Sequence, residues 1–276
     1  MPSQLAPPWP RRPEGRVLVM GILNVTPDSF SDGGFFAQTE AAIHHAEEMA
    51  IEGADILDIG GESTRPGAQP ITPAEEIGRV VPVLKALRER HFETSISIDT
   101  YKSETARAAL AAGATIVNDV WALQHDPAMA HLVAEAGAGL VMMHNRAVKD
   151  ESLDIVEDMK RYFDRSLGIA RMAGIPENRI ALDPGVGFGK TLDQNLLAIR
   201  AIPELKAMGL PVLLGVSRKS FLGLLTNRPV MERLPGSVAA AMLGVDLGAD
   251  ILRVHDIGPH LDALTVRAAL RPETTA

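Results

Sequence analysis

Nine residues of this chain, Asn24, Asp58, Asp99, Asn118, His144, Asp183, Lys219, Arg253 and His255, share one feature: each ends or closely follows a short apolar run. Their types divide by chemistry. Arg65, Lys219, Arg253 and His255 suit an anionic group such as a phosphate ester. Asp99, Asn118 and Asp183 suit the edge of a planar heterocycle with several N–H groups, because carboxylates accept and an amide both accepts and donates. Asn24 offers a neutral oxygen to Mg2+, an ion that commonly keeps waters and shares phosphate oxygens with a substrate. Each residue alone also fits a plain structural role, with Asn118 or Asp99 as a helix cap and Arg253 as a rim charge. A ring of such accidents on many different strands is a much weaker reading than a shared site.

Stretch 19–34, VMGILNVTPDSFSDGG, shows the pattern most plainly. An apolar run over 16–23 reads as a strand covered on both faces. It passes at once into the oxygen-rich Asn24, Thr26, Asp28, Ser29 and Asp32, and then into two glycines.

The remaining elements must place these residues together. Further strands are expected at 55–59, 95–100, 115–120, 139–144, up to Asp183, within 211–221, and at 251–256. Between them lie helical patterns at 39–51 and after the capping box Thr72/Glu75 with Pro73 at the first helical position. Pro82 predicts a kink or break in that helix. Asp126-Pro127 starts another helix, 152–173 forms a long one, 236–247 an extra one, and the last ends near Leu270. EGADILDIG, AGATIVNDV, AGAGLVMMH and LGADILRVHD form a faint repeat, a glycine after a helix and then a buried strand. About eight such units close into a (β/α)8 TIM barrel, whose site lies at the C-terminal ends of the strands. An open doubly wound sheet would need a glycine-rich phosphate turn after the first strand, and GILNVTPDSF is not one.

Composition fits one such domain. The chain has 276 residues, 46% of them hydrophobic, and a formal net charge of −8 that argues against a nucleic-acid or anionic-membrane partner. It has no cysteine, hence no disulfide, thiolate nucleophile or Cys-ligated metal. Neither a membrane span nor a secretion signal is evident, so the expectation is a cytoplasmic protein with a Pro-rich lead-in over 1–15 and one domain over 16–272. Some lookalikes are set aside. GVGFGKT fails as a phosphate loop because Pro184 occupies the first glycine's place. His44-His45 reads as solvated, and Met142 and Met143 as core, with Met143 also able to face the site.

GILNVTPDSFSDGG and ADILDIGGESTRPGA resemble the two signature stretches of the dihydropteroate synthase family, and SIDT, VND, LDPGVGFGK, GVSRKSF and LRVHD follow in the family's order. The resemblance spans nearly the whole chain. It implies a barrel enzyme of folate synthesis, which joins (7,8-dihydropterin-6-yl)methyl diphosphate to 4-aminobenzoate and acts as a homodimer. By the same resemblance Asn24 holds Mg2+, and Thr64, Arg65, Arg253 and His255 contact the diphosphate and substrate. Asp99, Asn118, Asp183 and Lys219 form the pterin pocket. Pro66, Phe188 and Ser220 form the aminobenzoate pocket, with Phe30 on a lid, and residues 25–37 and 62–71 close over the site. Asp99, Lys219, Arg253 and His255 carry the catalysis. MMHNRAV departs from the family in lacking a glycine soon after the strand-five histidine. A pterin-binding methyltransferase barrel and a catalytically silent homologue are the competing readings.

Overall fold

Burial on both faces is what the apolar strands encode, and a ring of parallel strands inside a ring of helices supplies it. The computed structural model describes residues 7–26, 35–63 and 69–270. Its strands are β1 (Leu18–Asn24), β2 (Ile56–Gly60), β3 (Ser95–Asp99), β4 (Ile116–Asp119), β5 (Gly139–Met143), β6 (Ile180–Asp183), β7 (Leu213–Leu214) and β8 (Ile251–Val254). They pair in the order β6-β5-β4-β3-β2-β1-β8-β7. A parallel bridge between Leu182 and Val212 joins β6 to the β7 side and closes the ring. Helices α1 (Phe35–Glu52), α2 (Pro73–Glu89), α3 (Ser103–Ala112), α4 (Met129–Ala136), α5 (Ile155–Ala173), α6 (Leu192–Arg200), α7 (Ile202–Lys206), α8 (Ser220–Thr226), α9 (Leu234–Asp246) and α10 (Ile257–Leu270) surround it. Among the described residues no helix is long and apolar enough to cross a membrane.

Strand side chains alternate between two cores. Leu18, Met20, Ile56, Ile116, Val141, Ala181, Leu213 and Ile251 fill the barrel interior. Val19, Leu57, Val117, Leu140, Leu182 and Leu252 point outward to the helices. The eight-strand expectation therefore holds, with shifted bounds. β1 takes in Asn24, and β7 shrinks to two residues between Pro211, which has no N–H to give a ladder, and Gly215.

The helices differ from expectation in three places. α1 begins at Phe35, not near Thr39. α2 runs through Pro82 without the break that is one of the two expectations there, because the buried stripe Val80, Val83, Leu84 and Leu87 spans the proline and outweighs one lost backbone bond. α4 begins at Met129 because Asp126 is taken up in the turn before it, accepting from the N–H groups of Ala128 and Ser103. The capping box at Thr72 is only partly realised: its hydroxyl accepts from Glu75 N–H. Both halves of such a box form instead at Thr191 and Gln194, where α6 starts.

Trp9, in the stretch read as a lead-in, belongs to the barrel interior cluster and is 4% exposed. Its indole N–H donates to the Arg179 carbonyl at 2.9 Å. Gly139 makes room for it, since a Cβ there would come within 2.9 Å of the indole nitrogen. Replacing Trp9 by alanine should cost about 3–5 kcal/mol through lost burial and the cavity left at the barrel floor. Urea unfolding of the two proteins checks this, and a loss under about 1 kcal/mol would show that the floor closes without the indole.

Candidate active site

The site grows out of period two. Each strand that contributes an apolar residue to the interior places the next inward residue two positions on, one layer nearer the C-terminal mouth. Ile56 is followed by Asp58, Ile116 by Asn118, Val141 by Met143, Ala181 by Asp183, Leu213 by Gly215, and Ile251 by Arg253. Asp99 takes the matching place on β3, opposite Asn118 in the register. A dry apolar layer thus carries a polar one directly above it.

Arg253 ties that polar layer together. Its Nε donates to Asp58 Oδ2 at 2.6 Å and its Nη2 to Asp99 Oδ2 at 2.7 Å. Asn118 Nδ2 also donates to Asp58 Oδ2, at 2.9 Å. Asp58 Oδ1, Asp99 Oδ1 and Ser97 Oγ are buried and have no hydrogen-bond partner among the described residues. Buried acceptors without donors are costly, and they suit a ligand rich in N–H groups. Burial raises the Asp99 carboxyl to about 7 against the pull of Arg253, and nearby Asp58 pushes the same way. Asp183 is raised as well, chiefly by burial, although Lys219 and the Gly185 N–H favour its charged form. Burial also lowers the Lys219 ammonium to about 8, with Asp183 opposing.

Two glycines open the space. A Cβ on Gly215 would lie 3.6 Å from Lys219 Nζ, 3.8 Å from Arg253 Cβ and 3.9 Å from Asp183 Oδ2. These three site residues therefore converge on one point. A Cβ on Gly60 would lie 3.7 Å from Asp99 Oδ2 and 3.9 Å from Asn24 Oδ1, so Asn24 stands beside Asp99. Among the described residues no cluster of three His, Cys, Asp or Glu side chains is placed to cage a metal. A single neutral oxygen at the rim fits Mg2+ only if waters and substrate oxygens complete the shell.

The loop from Asp183 to Thr191 is knotted rather than open. Gly185 holds φ +65°, and a Cβ there would sit 1.9 Å from the His144 carbonyl oxygen. Lys190, buried, donates to the carbonyls of His144, Gly185 and Phe188. It is thereby a structural pin, not a phosphate lysine. Lys219 Nζ donates to the Val186 carbonyl and stands 5.0 Å from the Phe188 ring centre. Ser220 follows as the first, exposed residue of α8. His255 meets Ser217, two residues before Lys219, with Nδ1 3.0 Å from Oγ.

His144 departs from the expected ring. It is fully buried with Nε2 3.2 Å from Asp158 on α5, and its ring packs edge-on to Tyr162. Met143 takes the inward place, so the next residue must point to the helices. Burial holds the His144 imidazole down at about 3. Arg146 of the departing MMHNRAV stretch also pairs with Asp158, at 2.7 Å. Thr64, Arg65, Pro66 and Phe30 lie outside the described residues.

Two features lie beyond the sequence reading. Asp58 is among the strand-end residues there but without a role of its own; the contacts from Arg253 and Asn118 that give it one form only when the ring closes. The second is a clamp at Glu62, whose carboxylate accepts from Ile71 N–H, Tyr101 O–H and Lys102. Lys102 also reaches the buried Glu76 at 2.9 Å. No local pattern marks those partners.

The raised Asp99 carboxyl predicts a sign. Its pKa is higher folded than unfolded, so its contribution to stability is full below about 3.8 and lost as pH rises through about 7. Asp99→Asn imitates the protonated form, so its melting temperature should gain on the parent between pH 5 and pH 8. Paired thermal melts check this; a constant gap would place the titration elsewhere.

Comparison with known proteins agrees with this geometry. The family described as Pterin binding enzyme matches residues 20–255. The dihydropteroate synthase of Clostridium beijerinckii is 47% identical over 243 residues, 88% of this chain and 90% of that protein. That of Bacillus subtilis is 47% identical over 242 residues, 88% of this chain and 84% of that protein. A crystal structure of dihydropteroate synthase from Clostridium difficile, determined in the presence of pteroic acid, superposes with a TM-score of 0.89 at 46% identity, covering 92% of this chain and 97% of that one. The Xanthomonas albilineans enzyme in complex with 7,8-dihydropteroate gives a TM-score of 0.85 at 44% identity, covering 93% and 95%. With a matching barrel and a polar layer of the expected residue types above its interior, the chain belongs to the dihydropteroate synthase family of pterin binding enzymes.

Proposed function

We propose that this chain is a transferase that condenses (7,8-dihydropterin-6-yl)methyl diphosphate with 4-aminobenzoate, releasing 7,8-dihydropteroate and diphosphate in folate synthesis. One observation carries the reading: the buried Asp58 and Asp183 and the nearly buried Asp99 share one layer with Arg253 and Lys219, and a carboxylate oxygen of Asp58 and of Asp99 has no donor among the described residues. Such a layer suits a flat, N–H-rich ring on which positive charge develops.

In this assignment Asp183, Asn118 and Lys219 hold the heterocycle, with Met143 beneath it. Phe188 and Ser220, with Pro66, flank the aminobenzoate. Thr64, Arg65, Arg253 and His255 take the diphosphate; Arg253 has Nη1 for this, since Nε and Nη2 are bound to aspartates. Asn24 would hold Mg2+, which when bound neutralises diphosphate charge and makes it a better leaving group. Asn24 suits that role because its oxygen stands beside Asp99 where Gly60 leaves space.

The chain's own residues favour departure of diphosphate before attack by the amine. Asp58 and Asp99 are placed to stabilise a cation delocalised over the pterin ring and its exocyclic methylene. An electrophile of that kind needs only a weak nucleophile, and an arylamine is one. Exclusion of water from the cavity then prevents its capture.

The partner proposed is a second copy of the chain. Leu224, Leu243, Val266 and Leu270 on α8, α9 and α10 stand exposed, at 69%, 51%, 58% and 79%, and Val266 and Leu270 border one groove with Met242 between α9 and α10; exposed apolar surface commonly marks an interface. A cytoplasmic location is part of the same proposal.

Purified protein given both substrates and Mg2+ should form dihydropteroate, detected by chromatography, only when all three are present. Failure of the folded protein to do so would favour a silent homologue, and a product dependent on a methyl donor would favour the methyltransferase reading. Asp183→Asn exchanges an acceptor for a donor and should weaken pterin binding in calorimetry by about 1–3 kcal/mol. Unchanged affinity would remove Asp183 from the pocket. Sedimentation should give a dimer that Leu243→Glu dissociates; a monomeric parent would refute the assembly.

A further inference from the structure

The turn between β7 and α8 is held in an unusual shape. Arg218 has φ 56°, in the left-handed region that residues with a Cβ seldom adopt. It lies between Ser217, which faces His255, and Lys219, which faces Asp183. Several contacts keep it there. The Arg218 guanidinium grips the Asp256 carboxylate through Nε, at 3.0 Å, and Nη2. Its backbone N–H donates to Ser237 Oγ at 2.8 Å, and its carbonyl accepts from Arg233 Nη1 at 3.2 Å. The turn after β7 is therefore fastened to the turn after β8 at two successive positions, Ser217 to His255 and Arg218 to Asp256.

The contact at Ser217 favours one placement of a proton. Ser217 is 4% exposed, and its Oγ lies 3.2 Å from the His255 backbone nitrogen and 3.0 Å from the ring Nδ1. A backbone N–H can only donate, so the hydroxyl oxygen accepts that bond. Its own proton then needs an acceptor, and among the described residues His255 Nδ1 is the one within hydrogen-bond reach. An unprotonated Nδ1 puts the ring proton on Nε2.

We propose that Ser217 is a positioning residue that fixes His255 as the neutral Nε2–H tautomer, so that the imidazole meets the diphosphate as an oriented hydrogen-bond donor rather than as a cation. This rests on the reading of His255 as a diphosphate contact. A bond donated to the neutral ring disfavours its protonated form, because imidazolium has no lone pair on Nδ1. The positive charge at the anion subsite then falls to the arginines. The Arg218–Asp256 pair serves the same end by preventing Ser217 from turning away.

The test begins with the full chain labelled with 15N-histidine, the His255 signals assigned by their absence in His255→Gln. The parent should show an unprotonated Nδ1 and a protonated Nε2; Ser217→Ala should show a mixture. A parent ring protonated at Nδ1 overturns the proposal. In kinetics, Ser217→Ala should raise KM for the pterin diphosphate about fivefold, as expected for losing one hydrogen bond. Ser217→Thr, which keeps the hydroxyl, should restore it, and the affinity for free hydroxymethylpterin should not change. His255→Gln, which sets an N–H near the Nε2 position, should retain more activity than His255→Asn, which sets it near Nδ1. His255→Ala is the control that separates the two claims. If it binds diphosphate as well as the parent, the diphosphate role of His255 fails, and the NMR result alone decides the tautomer. If it binds poorly while Ser217→Ala changes neither tautomer nor KM, the positioning role is overturned.

Discussion

Arg253 is the charge that allows this barrel to keep carboxylates in its interior. An ionised carboxylate taken out of water costs several kcal/mol unless it is paired and hydrogen-bonded. Asp58 and Asp99 are both buried in the ring, and a single guanidinium serves both. Its partners lie 195 and 154 residues earlier in the chain. The last strand must therefore dock beside the first before the polar layer can exist. Fold closure and site assembly are one event, and an incomplete barrel would leave two acidic groups buried without compensation.

The pairing is incomplete, and that is what makes it a site. Arg253 satisfies one oxygen of each aspartate and leaves the other without a partner among the described residues. Further protein donors would have made a quiet structural network. Gly60 and Gly215 instead keep side chains away from the points where Asn24, Asp99, Asp183, Lys219 and Arg253 converge. The apolar layer below, from Met20 to Ile251, closes the floor against water. Desolvation strengthens each electrostatic contact above it and raises the carboxyl groups of Asp99 and Asp183.

The strand-end residues are readable because period two is a local property. Asp99, Asn118, Asp183 and Arg253 stand in one layer at the strand ends, in line with their places after apolar runs. Sequence reasoning fails where one residue decides the face. His144 follows Met143 directly, and that single step sends it to Asp158 instead of the mouth. It also fails where partners are distant in sequence. Nothing near Trp9 announces the hole at Gly139, and nothing near Glu62 announces Tyr101 and Lys102. Pro82 misleads because the rule for isolated helices does not hold for one packed on both sides of the proline. Elements of strong period are thus legible, whereas contacts made only by closure are not.

In the proposed function, the arrangement of charge along the barrel axis would give the reaction its direction. Carboxylates dominate the enclosed layer, through Asp58, Asp99 and Asp183. The groups assigned to the diphosphate stand at its edge, His255 just beyond the end of β8 and Arg253 one residue before that end. In the proposed assignment a substrate lying across both regions would have its ring over the carboxylates and its diphosphate against donors, and that polarity would favour separation of the carbon–oxygen bond into cation and anion. A proton-donating but neutral His255 fits the same logic: it stabilises the departing oxygen without placing another full charge beside the cation that forms.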